Sequence, residues 1–280
     1  MVQLITVQTS DGCYLDAAYW PAAGGSGRAD ACVFTHGATG NAFGPLQRRF
    51  GEALSGAGVA TLSINSRGHD VVSTATRATG PMRAGTAFED LDDAPKDIHA
   101  GIECLIGRGH KRIAVAGHSL GAVKSVFTQA AEPHAAVSAL IALSPPRLAF
   151  EVQSSFGQEF LDILARAQAL VEAGRPNELL NARLPIPTYF GAAQYVKKYG
   201  HDSRYDIAAH LPQVTVPTFA LFGEIECATM PQIRASAAAV TAIAASRPAI
   251  AVRHIPGADH VYTGCIAAAT TALTEWMAES

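Results

Sequence analysis

The five residues from Gly117 to Gly121, G-H-S-L-G, place a serine between two glycines at a spacing that suits a nucleophile. An apolar run at 113–116 precedes them, and residues 122–131 have the composition of a helix. A serine on such a strand-to-helix turn exposes its hydroxyl at the edge of a sheet. The glycines remove Cβ atoms that would clash in so tight a turn. The pattern therefore predicts Ser119 as a nucleophile, and the alternative is an ordinary glycine-bounded turn.

A serine nucleophile needs a base that takes its proton and an acid that orients the base. His260 follows the last predicted strand, at 250–255, so it is expected at the same sheet edge as Ser119. Glu224 and Glu226 both follow the predicted strand at 218–222. Their position after a strand leaves both open as the orienting acid, and for either one the alternative is a solvated loop charge.

Acyl transfer also needs hydrogen-bond donors for the negative oxygen of a tetrahedral intermediate. The predicted strand at 31–35 ends in His36-Gly-Ala-Thr-Gly40, where two glycines let the backbone turn and expose N–H groups. We expect the N–H of Leu120 as one donor and that of Ala38 as the other, with Gly37 as the alternative to Ala38. His36 and His118, beside these pieces, are expected to brace the loops.

Short apolar strands alternate with helical segments through most of the chain, which predicts a mainly parallel sheet covered on both faces. Strands at 4–7 and 14–20, joined by a tight turn, are expected to pair antiparallel at one edge. Further strands are predicted at 31–35, 59–64, 113–116, 137–143, 218–222 and 250–255.

Residues 145–211 break this alternation and predict a helical cap, with 1–144 and 212–280 as the core. A helix is predicted at 158–172, with shorter helical pieces near 177–180 and 191–198. Caps line substrate pockets and exclude water, whereas the alternative is a surface insertion without a role. Lys197, Lys198 and Arg204 of this segment would suit an anionic substrate, although a solvated helix face explains them more simply.

Five motifs occur together in one order: HGATG at 36–40, NSRGHD at 65–70, GHSLG at 117–121, GEIE at 223–226 and GADH at 257–260. In this the chain resembles the α/β-hydrolase superfamily. The resemblance implies an eight-stranded, mostly parallel sheet flanked by helices, a helical cap after the sixth strand, and a Ser–acid–His triad. Many relatives carry the acid three residues after the glycine, which maps to Glu226. Glu in place of the commoner Asp, and Asn65 in place of Asp, depart from the family pattern.

Composition limits the partners of the chain. With 280 residues, a formal net charge of −3 and 49% apolar residues, the chain predicts a large core and no attraction to nucleic acid or membrane. Five scattered cysteines and an N-terminus without a basic and then apolar stretch favour the cytoplasm. We expect no cofactor and no metal, since HExxH spacing is missing.

The sequence thus predicts a serine hydrolase that cleaves a carboxylic ester, lactone or thioester of a small molecule through Ser119, His260 and Glu226. One alternative is C–C bond hydrolysis, lyase or acyl-transfer chemistry on the same fold. Another is a ligand-binding protein with an idle triad, because fold does not determine function. An Ala-rich helix near 235–245 would suit a homodimer.

Overall fold

The computed structural model describes residues 1–22, 25 and 27–279. Its strands are β1 Gln3–Gln8, β2 Cys13–Trp20, β3 Ala31–Thr35, β4 Ala60–Ile64, β5 Ser73–Arg77, β6 Met82–Ala84, β7 Ile113–His118, β8 Val137–Leu143, β9 Leu179–Ala182, β10 Thr188–Gly191, β11 Thr218–Gly223 and β12 Ile250–Ile255. Its α-helices are α1 Pro45–Gly56, α2 Ala94–Gly107, α3 Leu120–Ala131, α4 Phe150–Gln153, α5 Gln158–Glu172, α6 Ala192–Tyr199, α7 Ile207–His210, α8 Glu224–Thr229, α9 Pro231–Ala244 and α10 Ile266–Ala278. The loop predicted at 21–30 includes Ala23, Gly24 and Ser26, which lie outside the described residues, as does Ser280.

The main sheet runs in the order β12-β11-β8-β7-β3-β4-β2-β5-β6, and β1 pairs with β2. Neighbours from β12 to β4 are parallel, whereas β2 is antiparallel to β1, β4 and β5. Every residue of β3, β4 and β7 is buried, because helices cover both faces of the parallel part. The mainly parallel sheet, and the antiparallel edge that the first two strands form, are confirmed.

Among the described residues, the main sheet has ten strands rather than eight. The two additional strands are β5 and β6, a hairpin in which Ser73 pairs with Ala84. Each of them buries a single residue fully, so neither has the continuous apolar run by which the other strands are recognised in the sequence. This hairpin lies before β7 and β8 in the chain, so it raises the number of strands that precede the inserted segment from six to eight. The segment still follows the strand at 137–143, as predicted.

Residues 144–217, the inserted segment, lie between β8 and β11 and contain α4 to α7 together with β9 and β10. The helix predicted at 158–172 is confirmed as α5. A helical piece near 177–180 was a wrong prediction, because Leu179–Ala182 is a strand that pairs antiparallel with Thr188–Gly191. Its alternating exposed and buried residues favour a half-covered strand.

One apolar cluster joins the inserted segment to the rest of the fold. Phe160, Phe190 and Tyr195 of the segment pack in one cluster with Leu120 and Val123 of α3. Helix α3 begins directly after Ser119, so the segment packs next to the predicted nucleophile. None of the helices among the described residues has the length and apolar character needed to cross a membrane.

Candidate active site

Ser119 lies at the turn between β7 and α3, with φ of 54° and ψ of −123°. This strained conformation is uncommon for a residue with a side chain. The Ser119 amide donates to the carbonyl oxygen of Leu143 at 2.8 Å, which fastens the turn to β8. A Cβ on Gly121 would collide with the backbone of Thr35 and His36. The glycine is therefore needed so that α3 can start against β3.

The structure brings Ser119, His260 and Glu226 together. His260 Nε2 lies 2.9 Å from Ser119 Oγ, and His260 Nδ1 lies 2.6 Å from Glu226 Oε2. Glu226 is buried, whereas His260 is a quarter exposed. The histidine thus contacts the serine on one side and a buried carboxylate on the other, which is the geometry that general-base activation of a serine requires.

The other oxygen of Glu226 is also held. Oε1 accepts the Gly223 N–H at 2.6 Å and the Ser144 hydroxyl at 2.7 Å. The single proton of Ser144 is used there, so the Tyr262 hydroxyl donates to Ser144 Oγ, at 2.7 Å. Glu226 lies in the first turn of α8 and folds back to cap it, which accommodates the longer side chain.

Ser144 and Tyr262 were not predicted from the sequence as site residues. Ser144 directly follows β8, and Tyr262 comes two residues after His260. The position of Ser144 at the carboxyl end of a strand was a usable signal. Nothing in the sequence indicated that Tyr262 contacts it.

Glu224, the alternative acid, lies elsewhere. Its side chain is exposed, and its Oε2 accepts the Gly257 N–H at 2.8 Å. Its contacts thus brace the loop that precedes His260 and do not reach the imidazole.

Leu120 directly follows Ser119 in the chain, and Ala38 lines the same cavities as Ser119. Within the described part of the chain, neither the Ala38 amide nor the Leu120 amide donates a hydrogen bond to another protein group. Gly37 approaches the serine so closely that a Cβ there would lie 3.0 Å from Ser119 Cβ. Two free N–H groups next to a serine hydroxyl are suited to stabilise a developing negative charge.

A chain of buried hydrogen bonds ends at the peptide that carries the Ala38 N–H. His36 Nδ1 lies 2.8 Å from the Gly37 carbonyl oxygen, so Nδ1 carries the ring proton and Nε2 is an acceptor. Ser66 donates to Nε2 at 3.0 Å and in turn accepts from Lys124 Nζ at 2.9 Å. The Gly37 carbonyl and the Ala38 N–H belong to one planar peptide, so this chain orients the amide.

His118 is held in a similar way, since its Nε2 lies 2.7 Å from the His260 carbonyl oxygen. Burial lowers the pKa of both His36 and His118 to about 3. Both imidazoles are therefore neutral braces, as expected from the sequence.

These two buried histidines predict a pH dependence of stability. Their unfolded-state pKa is near 6.5, so below that value the unfolded chain binds protons that the folded chain does not. We expect the free energy of unfolding to fall between pH 6.5 and 5, by on the order of 1 kcal/mol per pH unit for each histidine. Urea denaturation across this range measures the slope.

The carboxylates of Asp11 and Glu89 have a lowered pKa in the folded protein, so their contribution to stability is lost only below their unfolded-state pKa of about 4.5 or less. A change in stability above pH 5 is therefore assigned to the histidines. The His118→Gln variant keeps a polar side chain and has one buried imidazole fewer, so it should show about half the slope. A wild-type stability that does not change between pH 6.5 and 5 would contradict the prediction.

Two cavities reach Ser119 and His260. The first, which we call the outer cleft, measures about 700 Å³ and lies between residues 37–49 and 260–266. The second, the inner pocket, measures about 90 Å³. It lies beneath the inserted segment, and its lining includes Leu148, Gln153, Ile186, Met230, Gln232 and Ile233.

The cationic side chains at 197, 198 and 204 do not line either cavity. Lys197 pairs with Asp90 and Asp92, and Arg204 Nε lies 2.8 Å from Asp92. Lys198 is buried and contacts Glu89, so a solvated helix face does not explain it. All three therefore have carboxylate partners in the protein, which removes the argument for an anionic substrate.

In the part of the chain that the structure describes, no three His, Cys, Asp or Glu side chains are arranged to hold a metal ion. The five cysteines are free.

Residues 32–268 match the sequence profile described as the alpha/beta hydrolase family. The chain belongs to this family. The match spans the segments with Ser119, Glu226 and His260, so the resemblance seen in the motifs is confirmed. No curated protein matches the chain in sequence.

Solved structures of other proteins share the fold of this chain. Est1E from Butyrivibrio proteoclasticus has a TM-score of 0.67 at 21% identity, covering 98% of this chain and 97% of its own. The alpha/beta hydrolase GrgF from Penicillium sp. sh18 has a TM-score of 0.72 at 13% identity, with 99% and 98% covered. Monoglyceride lipase from Saccharomyces cerevisiae has a TM-score of 0.68 at 14% identity, with 98% and 94% covered.

Proposed function

We propose that this alpha/beta hydrolase cleaves carboxylic esters of small molecules through Ser119, His260 and Glu226. The observation that carries the proposal is the continuous hydrogen-bond path from the Ser119 hydroxyl through both nitrogens of His260 to the buried carboxylate of Glu226. Both contacts have the lengths that proton transfer requires. Esterase and lipase are also named among the structures that share the fold.

In the proposed first step, Ser119 Oγ attacks the ester carbonyl carbon while His260 Nε2 takes the hydroxyl proton. The charge that forms on His260 is stabilised by Glu226, and the negative oxygen accepts hydrogen bonds from the Ala38 and Leu120 amides. The intermediate collapses to an acyl-enzyme as His260 returns the proton to the leaving alcohol. Water, deprotonated by His260, then releases the carboxylic acid and restores Ser119.

The inserted segment, in this proposal, acts as a cap over the reacting groups. It contributes Leu148, Pro185 and Ile186 to the inner pocket, directly beside Ser119. An apolar wall on this side excludes water from the carbonyl under attack and strengthens the hydrogen bonds there.

A fluorophosphonate probe tests the nucleophile. We expect the wild-type protein to be labelled covalently and Ser119→Ala to be unlabelled, because the probe phosphonylates only an activated serine. Ser246→Ala, which changes an exposed serine at the end of α9, is the matched control and should be labelled like the wild type. Equal labelling of wild type and Ser119→Ala would reject the proposal.

Products separate ester hydrolysis from other chemistry on the same residues. A panel of esters, lactones, thioesters and diketones is incubated with the wild-type protein and Ser119→Ala. We expect acid and alcohol in equal amounts from the esters. Cleavage of diketones alone would indicate C–C hydrolysis, and binding without turnover would indicate a ligand-binding protein.

A further inference from the structure

The two cavities beside Ser119 differ in size and in access to solvent. The inner pocket measures about 90 Å³, and among the described residues that line it none is exposed. The outer cleft measures about 700 Å³, and six of the residues that line it are exposed, namely Thr39, Pro45, Arg49, Val261, Thr263 and Gly264. The inner pocket therefore surrounds a small group, whereas the outer cleft opens to solvent.

Access to solvent decides which part of an ester occupies which cavity. Ser119 and His260 line both cavities, so an ester carbonyl held at Ser119 can place one of its two branches in each. In the proposed reaction the alcohol leaves, and water enters, while the acyl group is still bonded to Ser119. The open cleft allows both movements, whereas an alcohol released into the inner pocket would be surrounded by buried and half-buried side chains. The acyl chain therefore belongs in the inner pocket and the alcohol in the outer cleft.

The volume of the inner pocket limits the length of the acyl chain. A water molecule occupies about 30 Å³ in the liquid and a methylene group is of similar size, so the pocket has room for roughly three to six non-hydrogen atoms beyond the carbonyl. Leu148, 3% exposed, and Ile233, 0% exposed, are among the side chains that line it. Because such side chains are closely packed, a longer acyl chain would have to displace them.

The inner pocket also excludes charged acyl groups. No aspartate, glutamate, lysine or arginine is present among the described residues that line it. A carboxylate or an ammonium on the acyl chain would be buried there without a counter-charge, which is unfavourable. The acyl group is therefore expected to be short and uncharged.

The outer cleft offers apolar surface to the alcohol. Leu46, Val261 and Ile266 line it, and Val261 is 52% exposed directly after His260. A bulky apolar alcohol would remove this surface from water, which is favourable in proportion to the area that it covers. A methyl group would cover little of it.

We propose that the substrates are esters of short, uncharged acyl groups with bulky, largely apolar alcohols. The inner pocket selects the acyl group by its length, and the outer cleft binds the alcohol. This inference rests on the proposed ester hydrolysis and names the substrate class for it. Leu148 and Ile233 then determine the longest acyl chain that is accepted.

Two series of esters test the selection separately. In the first, naphthyl esters carry acyl chains of two to ten carbons, and we expect kcat/KM to fall at least about tenfold from the butanoate to the decanoate. In the second, butanoates carry the primary alcohols methanol, cyclohexylmethanol and naphthylmethanol. Here we expect kcat/KM to rise about tenfold or more from the methyl to the naphthylmethyl ester.

Enlarging the inner pocket should change only the first series. Leu148→Ala should raise the ratio of kcat/KM for decanoate to that for butanoate about tenfold and leave the naphthylmethyl-to-methyl ratio unchanged. Ile233→Ala should act in the same way, and it keeps the test usable if Leu148→Ala folds poorly. Leu164→Ala is the matched control, because Leu164 is buried in the same apolar cluster as Leu148 but lines neither cavity. Neither ratio depends on the amount of folded protein.

Narrowing the outer cleft should change only the second series. Thr263→Trp places a large side chain at an exposed position of the cleft. It should lower the naphthylmethyl-to-methyl ratio and leave the decanoate-to-butanoate ratio unchanged. Thr271→Trp is the matched control, because Thr271 is an exposed threonine of α10 that lines neither cavity.

Ester hydrolysis with no loss of kcat/KM at long acyl chains would overturn the inference while the proposed function stands. An acyl preference that neither Leu148→Ala nor Ile233→Ala changes would overturn it too. If these two variants shifted the alcohol ratio instead, the alcohol would occupy the inner pocket and the inference would be wrong. If no ester of either series is hydrolysed, the proposed function itself fails, and the inference fails with it.

Discussion

Glutamine in place of Glu226 should lower kcat by about 10⁴-fold with little change in KM. Glu226 Oε1 accepts from the Gly223 N–H and the Ser144 hydroxyl, so the oxygen of a glutamine amide stays on that side. The amide NH₂ then faces His260 Nδ1, which must become an acceptor. The ring proton moves to Nε2, and that nitrogen can no longer take the proton of the Ser119 hydroxyl.

Steady-state kinetics on a naphthyl ester measures the effect. Glu224→Gln is the matched control, because Glu224 accepts only the Gly257 N–H at an exposed position. We expect its kcat to stay within a few-fold of wild type. If Glu224→Gln lost as much activity as Glu226→Gln, the assignment of the orienting acid would be wrong. A fold check by circular dichroism confirms that both proteins are folded.

The second large effect concerns stability and comes from a buried group of charges. Lys124 Nζ lies 2.8 Å from Glu89 Oε1, and Lys198 Nζ lies 3.4 Å from Glu89 Oε2. All three side chains are at most 3% exposed. Burial by itself would raise the pKa of Glu89, but the Lys124 and Lys198 ammoniums outweigh it and hold the pKa at about 2.

Glu89→Gln leaves two buried ammonium groups without the carboxylate that they share. We expect the free energy of unfolding to fall by about 3–5 kcal/mol, measured as urea denaturation at pH 7. Lys198→Met, in contrast, leaves the balanced pair of Glu89 and Lys124 and should cost clearly less. Glu52→Gln, at an exposed pair with Arg49, should change the free energy by under about 1 kcal/mol.

A Glu89→Gln variant no less stable than Lys198→Met would show that the shared carboxylate is not what balances the two lysines.

The same buried charges also connect the inserted segment to the candidate site. Lys198 belongs to the inserted segment, whereas Lys124 begins the hydrogen-bond chain through Ser66 to His36. Glu89 thus connects the inserted segment to the loop that carries the Ala38 amide.

Apolar runs and motifs within short segments of the sequence were enough to predict most of the fold and of the proposed triad. The buried parallel strands were predicted from continuous apolar runs, because a strand covered on both faces cannot alternate. Ser119 and the two glutamates each follow such a strand, and His260 follows the half-exposed edge strand β12. The carboxyl ends of parallel strands meet at one edge. Strand order and the motif at 117–121 were therefore sufficient to bring these residues together.

Other features depended on contacts between distant segments. The hairpin of β5 and β6 lacks an apolar run, because it lies at the end of the sheet and is half exposed. Glu226 and Glu224 both follow β11, and only the folded loop decides that one reaches His260 and the other Gly257. Lys198 appeared to be a surface charge, but its partner Glu89 lies 109 positions away in the chain.

The sequence by itself predicted the parallel part of the sheet and the proposed nucleophile and base, because these depend on periodicity within a segment and on the common edge of parallel strands. Only the tertiary structure decided which glutamate contacts His260, how the buried charges pair, and the size of the two cavities beside Ser119. These depend on which side chains from separate segments come within hydrogen-bond distance and on the volume left between them. The enclosure of the inner pocket belongs to this second group, since Leu148 of the inserted segment and Ile233 of α9 line one pocket only in the folded chain.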